Sequence, residues 1–257
     1  MDLITDMMRS LAFLSRINIA PSWFEGGSGK LADNVRGFPL AGALLSLPAA
    51  ALLAICWLIN LDEFVTATLV VITLIVTTGA LHEDGLADVA DGFFGGGTAE
   101  RRLEIMKDSS IGSYGALALI LTALLRIALL TTILDEVDLF QTVLIVIGTE
   151  AASRGLLVKF WQILPSARKG GVADTAGSPD ASAANFALIF AIVAGSITLG
   201  LAGGPLAIVV AALLTTFAFV GFSRFCQDKI GGQTGDTLGA LQQLTTITLQ
   251  LGLVITL

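Results

Sequence analysis

Apolar residues run in long blocks along this chain, and the polar residues collect in the gaps between them. A helix that crosses a bilayer needs about 20 mostly apolar residues. Seven blocks reach that length: 38–59, 64–82, 112–134, 139–160, 185–203, 205–224 and 238–257. Each is predicted to be a transmembrane helix. The N-terminal stretch MDLITDMMRSLAFLSRINIAP reads differently, because Asp2 and Asp6 interrupt it and no apolar run is long enough for a signal core. Leu3, Met7, Leu11 and Leu14 share one face at helical spacing, which predicts an amphipathic helix lying on the membrane surface. The expected fold is all-α: a polytopic integral membrane bundle of about seven transmembrane helices plus that N-terminal helix. It forms one domain over residues 1–257.

Charge supports this division. Lys and Arg fall before the first block, in 83–111, in 159–184 and in 224–237, while the alternate connections 60–63, 135–138 and 203–204 carry none. The positive-inside rule then places the N-terminus and the long loops, about 83–111, 160–184 and 225–237, in the cytoplasm. Function concentrates on loops held by a rigid scaffold, so the chemistry is expected on that face. The segment 165–184 is rich in Gly, Ala, Ser and Pro and reads as a flexible loop or lid. Composition agrees: 54% of residues are hydrophobic, 14% are charged, and the mean hydropathy is +0.85. A soluble domain is about 25% charged. The net charge of −7 argues against a nucleic-acid partner. Cys56 and Cys226 alone build neither a disulfide framework nor a zinc site.

The densest polar segment is HEDGLADVADGFFGGGTAERRLEIMKDSSIGSYG, residues 82–115. Asp84, Asp88 and Asp91 have spacing i, i+4, i+7, within about 60° of arc on a helix. Three carboxylates on one stripe repel one another unless a cation lies over them. Their hard oxygens suit Mg²⁺, which typically takes one or two carboxylates together with substrate phosphates. A solvated acidic face is the plainer alternative. Against it stand the membrane block that leads into the stripe and the Gly95-Gly96-Gly97 run and basic residues Arg101, Arg102 and Lys107 that follow. Thr98 is expected to cap the second helix of this segment. Asp108 either returns to the metal as a further carboxylate or caps the block that starts near Gly112. His82, the single histidine, invites a general-base role, but an unbroken helix puts it about 160° from Asp84, so a bend at Gly85 would be needed.

Ionisable residues inside a span are functional suspects. Glu150 and Arg154 can pair at i, i+4, or Arg154 can face an anionic substrate. Arg126 has no local partner and is expected to reach an acid on another helix or a bound phosphate. Before the last block lies IGGQTGDTLGA, residues 230–240, whose glycines and following helix N-terminus suit a phosphate. Asp236 there either reaches the metal or caps the helix. No Gly-Lys-Ser/Thr triplet is present, so this is no P-loop.

The runs LHEDGLADVADG, LEIMKDSSIGSYGALAL and GGQTGDTLGA resemble the cobalamin synthase family (adenosylcobinamide-GDP ribazoletransferases). The resemblance extends to FLSRINIAP, RGFPLAGALL and Ala152-Ser153-Arg154, and so covers nearly the whole chain. It implies a multi-pass enzyme of the bacterial inner membrane with a cytoplasmic site. That enzyme would join adenosylcobinamide-GDP to α-ribazole or α-ribazole 5′-phosphate and release GMP, using Mg²⁺. By this resemblance Asp84, Asp88, Asp91 and Asp236 would hold metal, and Asp108, Asp91 and His82 are the proton-transfer candidates. Arg16, Arg101, Lys107, Ser109, Arg154, Gly232, Thr234 and Gly235 would meet substrate and phosphates. Membrane lipid is the expected surrounding. The chain departs from the family pattern at Asn18, at Glu83, where an apolar residue is common, and at Thr246, where glutamate is frequent. Two other classes compete. A CDP-alcohol phosphotransferase of lipid synthesis would need Ala-Arg after Asp88-Val-Ala-Asp91-Gly92, and Gly95 and Gly96 stand there instead. A cation-coupled transporter would place its polar site near mid-membrane on broken helices.

Overall fold

The computed structural model describes residues 2–26 and 29–257. Helix α1 (Leu3–Leu14) leads through two 3₁₀ turns, Pro21–Phe24 and Leu31–Gly37, into α2 (Phe38–Leu58). There follow α3 (Glu63–Thr78), α4 (Leu81–Gly95), α5 (Ala99–Ile105), α6 (Ser113–Glu136) and α7 (Leu139–Ile163). A short α8 (Val172–Thr175), a long α9 (Ala181–Ile230) and α10 (Gly235–Val254) complete the chain, with no strand among the described residues. Local sequence explains the starts. Asp62, Thr98, Asp138, Asp180 and Thr234 each accept a backbone N–H in the first turn of the helix that follows.

Fifty residues of α9 would reach roughly 75 Å at the usual helical rise, more than twice a bilayer core. The helix is in fact broken at Gly204 (φ 71°, ψ −167°), next to Pro205. Ile192 and Leu199 of its first arm line one small pocket with Ile208 and Ala212 of its second, so the chain folds back there. The break falls between the two blocks separated on sequence, and six of the seven blocks coincide with a helix or an arm of α9; the block 64–82 overruns α3 through Gly79 and Ala80 into the start of α4.

Polarity in the bundle is inverted relative to a water-soluble protein. Leu121 and Leu124 on α6, Ile189 and Val193 on α9's first arm, and Leu213 and Phe217 on its second are exposed. Leu31–Leu58, Ser113–Glu136 and Ala181–Ile230 are long and apolar enough to cross a membrane, and the bent pair α3–α4 is a fourth candidate. Helices α7 and α10 form the centre, packed against α2, α4 and α9, and carry the buried polar residues. This is a helical membrane protein.

Two expectations are corrected. The fourth-helix acids do not continue an unbroken span, because α3 ends at Thr78 and Gly79 (φ 62°) and Ala80 (φ 58°) are left-handed. The axis turns by 89° there, not at Gly85, which lies inside a continuous α4. Glycine accepts a positive φ without steric cost, and the N–H groups of Gly79 and Ala80 bond to the last carbonyls of α3. The N-terminal helix exists, but it docks through polar groups as well as leucines. Asp6 is fully buried against Arg36 (2.7 Å), and Arg9 donates to the carbonyls of Trp23 (2.7 Å) and Glu25 (3.1 Å).

The charges inside the bundle neutralise one another. Arg126 on α6 bonds Glu83 on α4 (3.1 Å), Glu150 on α7 (3.3 Å) and Gln243 on α10 (3.0 Å). Glu150 also pairs with Arg154. Gln243 donates to Glu83 (2.9 Å), and Gln242 donates to Glu150 (3.3 Å), Ser153 (3.1 Å) and Thr246 (3.1 Å). Arg126 thus reaches acids on other helices, and Arg154 pairs within its own. Glu83 and Thr246 both belong to this one network. Breaking a buried pair leaves an uncompensated charge, at a cost of about 3–5 kcal/mol. Arg126→Met should therefore lower the thermal denaturation midpoint of the detergent-solubilised protein sharply. Adding Glu83→Gln should recover part of that loss, so that the two substitutions together cost less than their sum.

Candidate functional site

Two glycines set the site. A Cβ on Gly85 of α4 would meet the Asp236 carbonyl oxygen at 2.6 Å, and one on Gly239 of α10 would meet the His82 Cα at 3.2 Å. With glycine at both places the helices touch backbone to backbone, and Asp236 in the first turn of α10 comes to Asp84 and Asp88. Thr234 and Thr237 cap that turn reciprocally, and the Thr234 hydroxyl donates to Asp236 (3.2 Å). Asp236 is therefore not the cap. The segment after α7 is stitched to the glycine motif: Gln233 N donates to the Pro165 carbonyl and Ala167 N to the Gln233 carbonyl, both at 2.8 Å. Gly232 has no room for a side chain because the Pro165 carbonyl lies against it. The predicted lid is in this way tied at its start, and Arg168 is laid beside the carboxylates with its guanidinium donating to the Leu103 carbonyl (2.8 Å).

A cavity of about 340 Å³ opens here between α1, α2, α4, α7, α10 and residues 166–176. Phe13, Phe38, Leu157 and Trp161 form apolar walls, and His82, Asp84, Arg168, Thr234 and Asp236 supply polar groups. The buried Nε2 of His82 and Nε1 of Trp161 have no hydrogen-bond partner. His82 and Asp84 line this cavity together without a bend at Gly85, because it wraps around the start of α4. On the other side of Asp84 lies a polar cavity lined by Ser15, Arg16 and Thr78.

Burial pushes the Asp88 carboxyl up from 3.8 to about 7, helped by the negative charges of Asp236, Asp84 and Asp91 and opposed by Arg168. Burial likewise raises Asp236, against Arg168 and the Thr234 hydroxyl. Asp91 is engaged differently. Its two oxygens accept the N–H groups of Gly112 (2.7 Å) and Gly115 (2.9 Å), so it caps α6 from across the fold. Asp108 is exposed and accepts from the Ser110 hydroxyl and from Ser110 N (3.0 Å), which together hold its carboxyl below the usual range; it caps no helix. Lys107 and Ser109 are exposed on the same connection, and Arg101 pairs with Glu104 (3.0 Å); none of them lines the cavity.

Of the residues singled out on sequence, the fold gathers His82, Asp84, Asp88, Thr234, Gly235 and Asp236 at one place, with Arg16 across Asp84. Gly232 lies behind the motif as a packing position, and Arg154 is locked in the buried network. Sequence reasoning missed Arg168 and Trp161 as site residues. The Arg168-Lys169 pair in a Gly- and Ala-rich loop was the available signal for Arg168. Nothing local marks Trp161. Three carboxylates facing one guanidinium leave surplus negative charge, and hard oxygens fit Mg²⁺. Among the described residues no three ligating side chains already close around one point. The donor set fits an ion that completes its shell with substrate phosphates and water.

The raised Asp88 carboxyl has a consequence for stability. Its value in the fold lies above its unfolded value, so the protonated form favours folding. Without divalent cation the folded protein should be most stable below about pH 3.8 on this account and lose stability as pH rises towards 7. Asp88→Asn should flatten that slope, read as denaturation midpoints in chelator across the range.

The cobalamin-5-phosphate synthase family model matches residues 6–254. An adenosylcobinamide-GDP ribazoletransferase of Brucella anthropi is 48% identical over 257 residues, covering 99% of this chain and 98% of the relative. Proteins of that name from Brucella ovis and Brucella canis are each 44% identical over 255 residues, covering 99% of this chain and 98% of theirs. No solved structure matches. With the match running through α4, the α5–α6 connection and the glycine motif before α10, the chain belongs to the cobalamin-5-phosphate synthase family and is a transferase of cobalamin synthesis.

Proposed function

We propose that this enzyme transfers adenosylcobinamide phosphate from adenosylcobinamide-GDP to α-ribazole, or to its 5′-phosphate, and releases GMP. The observation that carries the reading is the convergence of Asp84, Asp88 and Asp236 beside a cavity of nucleoside size, in a chain of this family. The reaction is Mg²⁺-dependent in this reading, with Asp84, Asp88 and Asp236 as the holding residues and Asp91 anchoring their helix to α6. A bound Mg²⁺ supplies charge neutralisation for the diphosphate. A ribose hydroxyl that is free in both acceptors, and so not the 5′ one, attacks the β-phosphorus, the bond to GMP breaks, and the leaving phosphate carries away the electron pair. Arg168 at the rim and Arg16 across Asp84 offer cationic donors to phosphate oxygens. The proton of the attacking hydroxyl goes to the cavity wall, where His82 Nε2 has no other partner. The site faces the cytoplasm of a bacterial inner membrane, as the distribution of Lys and Arg supports.

The test is turnover of purified, detergent-solubilised protein with both substrates, following GMP and cobalamin together, with and without Mg²⁺. Matched Mg²⁺-dependent products are expected. Asp84→Ala should lower turnover by about 10²–10³-fold, the scale of losing a main electrostatic contributor, with its gel-filtration profile unchanged. Normal turnover of that variant would sink the metal assignment. Absence of GMP release from folded wild type would favour the transport reading.

A further inference from the structure

We propose that the aromatic cavity beside Asp84 is the pocket for the base of the nucleoside acceptor, with His82 and Trp161 making its polar contacts. This rests on the reaction proposed above and assigns one of its two substrates to a place. Size is the first argument. At about 340 Å³ the cavity lies at the lower end of the range of ligand pockets, about 300–1,000 Å³. A nucleoside with a two-ring base fits such a space. A corrin macrocycle carrying a nucleotide does not, so of the two substrates only the acceptor can be enclosed.

The chemistry of the walls is the second argument. The Phe38 ring centroid lies 6.3 Å from that of Trp161 and 6.3 Å from that of Phe13, giving an aromatic wall against which a flat base stacks. Within this wall two nitrogens lack partners, His82 Nε2 and Trp161 Nε1, and both side chains are 2% exposed. Buried polar atoms without a partner are rare in folded proteins. An acyl chain would account for apolar walls but would leave both nitrogens unpaired, whereas a ligand with ring nitrogens and sugar hydroxyls can satisfy them. Position is the third argument. Asp84 borders both this cavity and the polar one that holds Arg16. A nucleoside whose base lies among the aromatic rings directs its sugar towards Asp84 and Asp236. There it meets a phosphate arriving from the open, polar side.

The experiment uses the full chain in detergent and two variants. Trp161→Phe keeps a ring and removes the N–H; Ala176→Leu fills the cavity from its covering segment and removes nothing from the core. Equilibrium dialysis with α-ribazole alone gives its Kd, and steady-state kinetics give a separate KM for each substrate. The expected result is a rise of about fivefold or more in the Kd and KM for α-ribazole, with the KM for adenosylcobinamide-GDP within twofold of wild type. Free benzimidazole should compete with α-ribazole in wild type. A rise in the donor KM instead, or no change in either, overturns the pocket assignment while leaving the reaction standing. A tightly held lipid that α-ribazole does not displace also overturns it. Loss of α-ribazole binding in the variants, from a wild type that binds it but transfers nothing, would support the pocket and overturn the reaction.

Discussion

A charged side chain inside a bilayer is costly unless it is paired, and four of them share the centre of this bundle. Arg126, Arg154, Glu83 and Glu150 sum to zero charge, and Gln242 and Gln243 fill the remaining donor and acceptor positions. The network draws on α4, α6, α7 and α10, and each contributes a group that another needs. The crossing of these helices is therefore fixed by polar geometry, in a setting where apolar contacts with neighbouring helices compete evenly with lipid. The exposed leucines and isoleucines of α6 and α9 decide only that the bundle sits in lipid.

The site depends on that fixed crossing. Glu83 lies between His82 and Asp84, so the residue that ties α4 to Arg126 is flanked by the two that line the cavity. From the other direction α10 is held by Gln242 and Gln243, one to two turns after Asp236. The glycine contacts at Gly85 and Gly239 then bring the two helices together. Carboxylates from separate parts of the sequence come together at a place where burial, helped by their mutual repulsion, raises Asp88. Asp91 holds the far end of α4 to the start of α6 in the same manner, with backbone N–H groups in place of a guanidinium.

Much of this was legible in the sequence. The apolar blocks located the helices, and even the fold-back within α9 at Gly204, because hydropathy and glycine–proline signals act over short range. The i, i+4, i+7 stripe and the late glycine motif named the carboxylates of the site. What local pattern did not reveal was pairing across the chain. Asp91 shares the stripe of Asp84 and Asp88, yet its oxygens meet Gly112 and Gly115. Arg168 is brought to the site by a backbone pairing with Gln233 that no periodicity announces. The left-handed Ala80 also escaped, because alanine gives no sign of a positive φ, and with it went the turn that separates the acidic helix from the span before it.

That Gln242 and Gln243 come about a hundred residues after Arg126 and Glu150 has a bearing on biogenesis. As the chain emerges, Arg126 and Glu150 enter the membrane long before α10 has been made. Until that last helix arrives, the side-chain amides that complete their hydrogen bonding are absent, and water or headgroups must stand in for them. The bundle therefore reaches its resting arrangement only once α10 has joined it. A chain shortened by one helix would expose unsatisfied charge inside the membrane, a state that membrane quality control can detect.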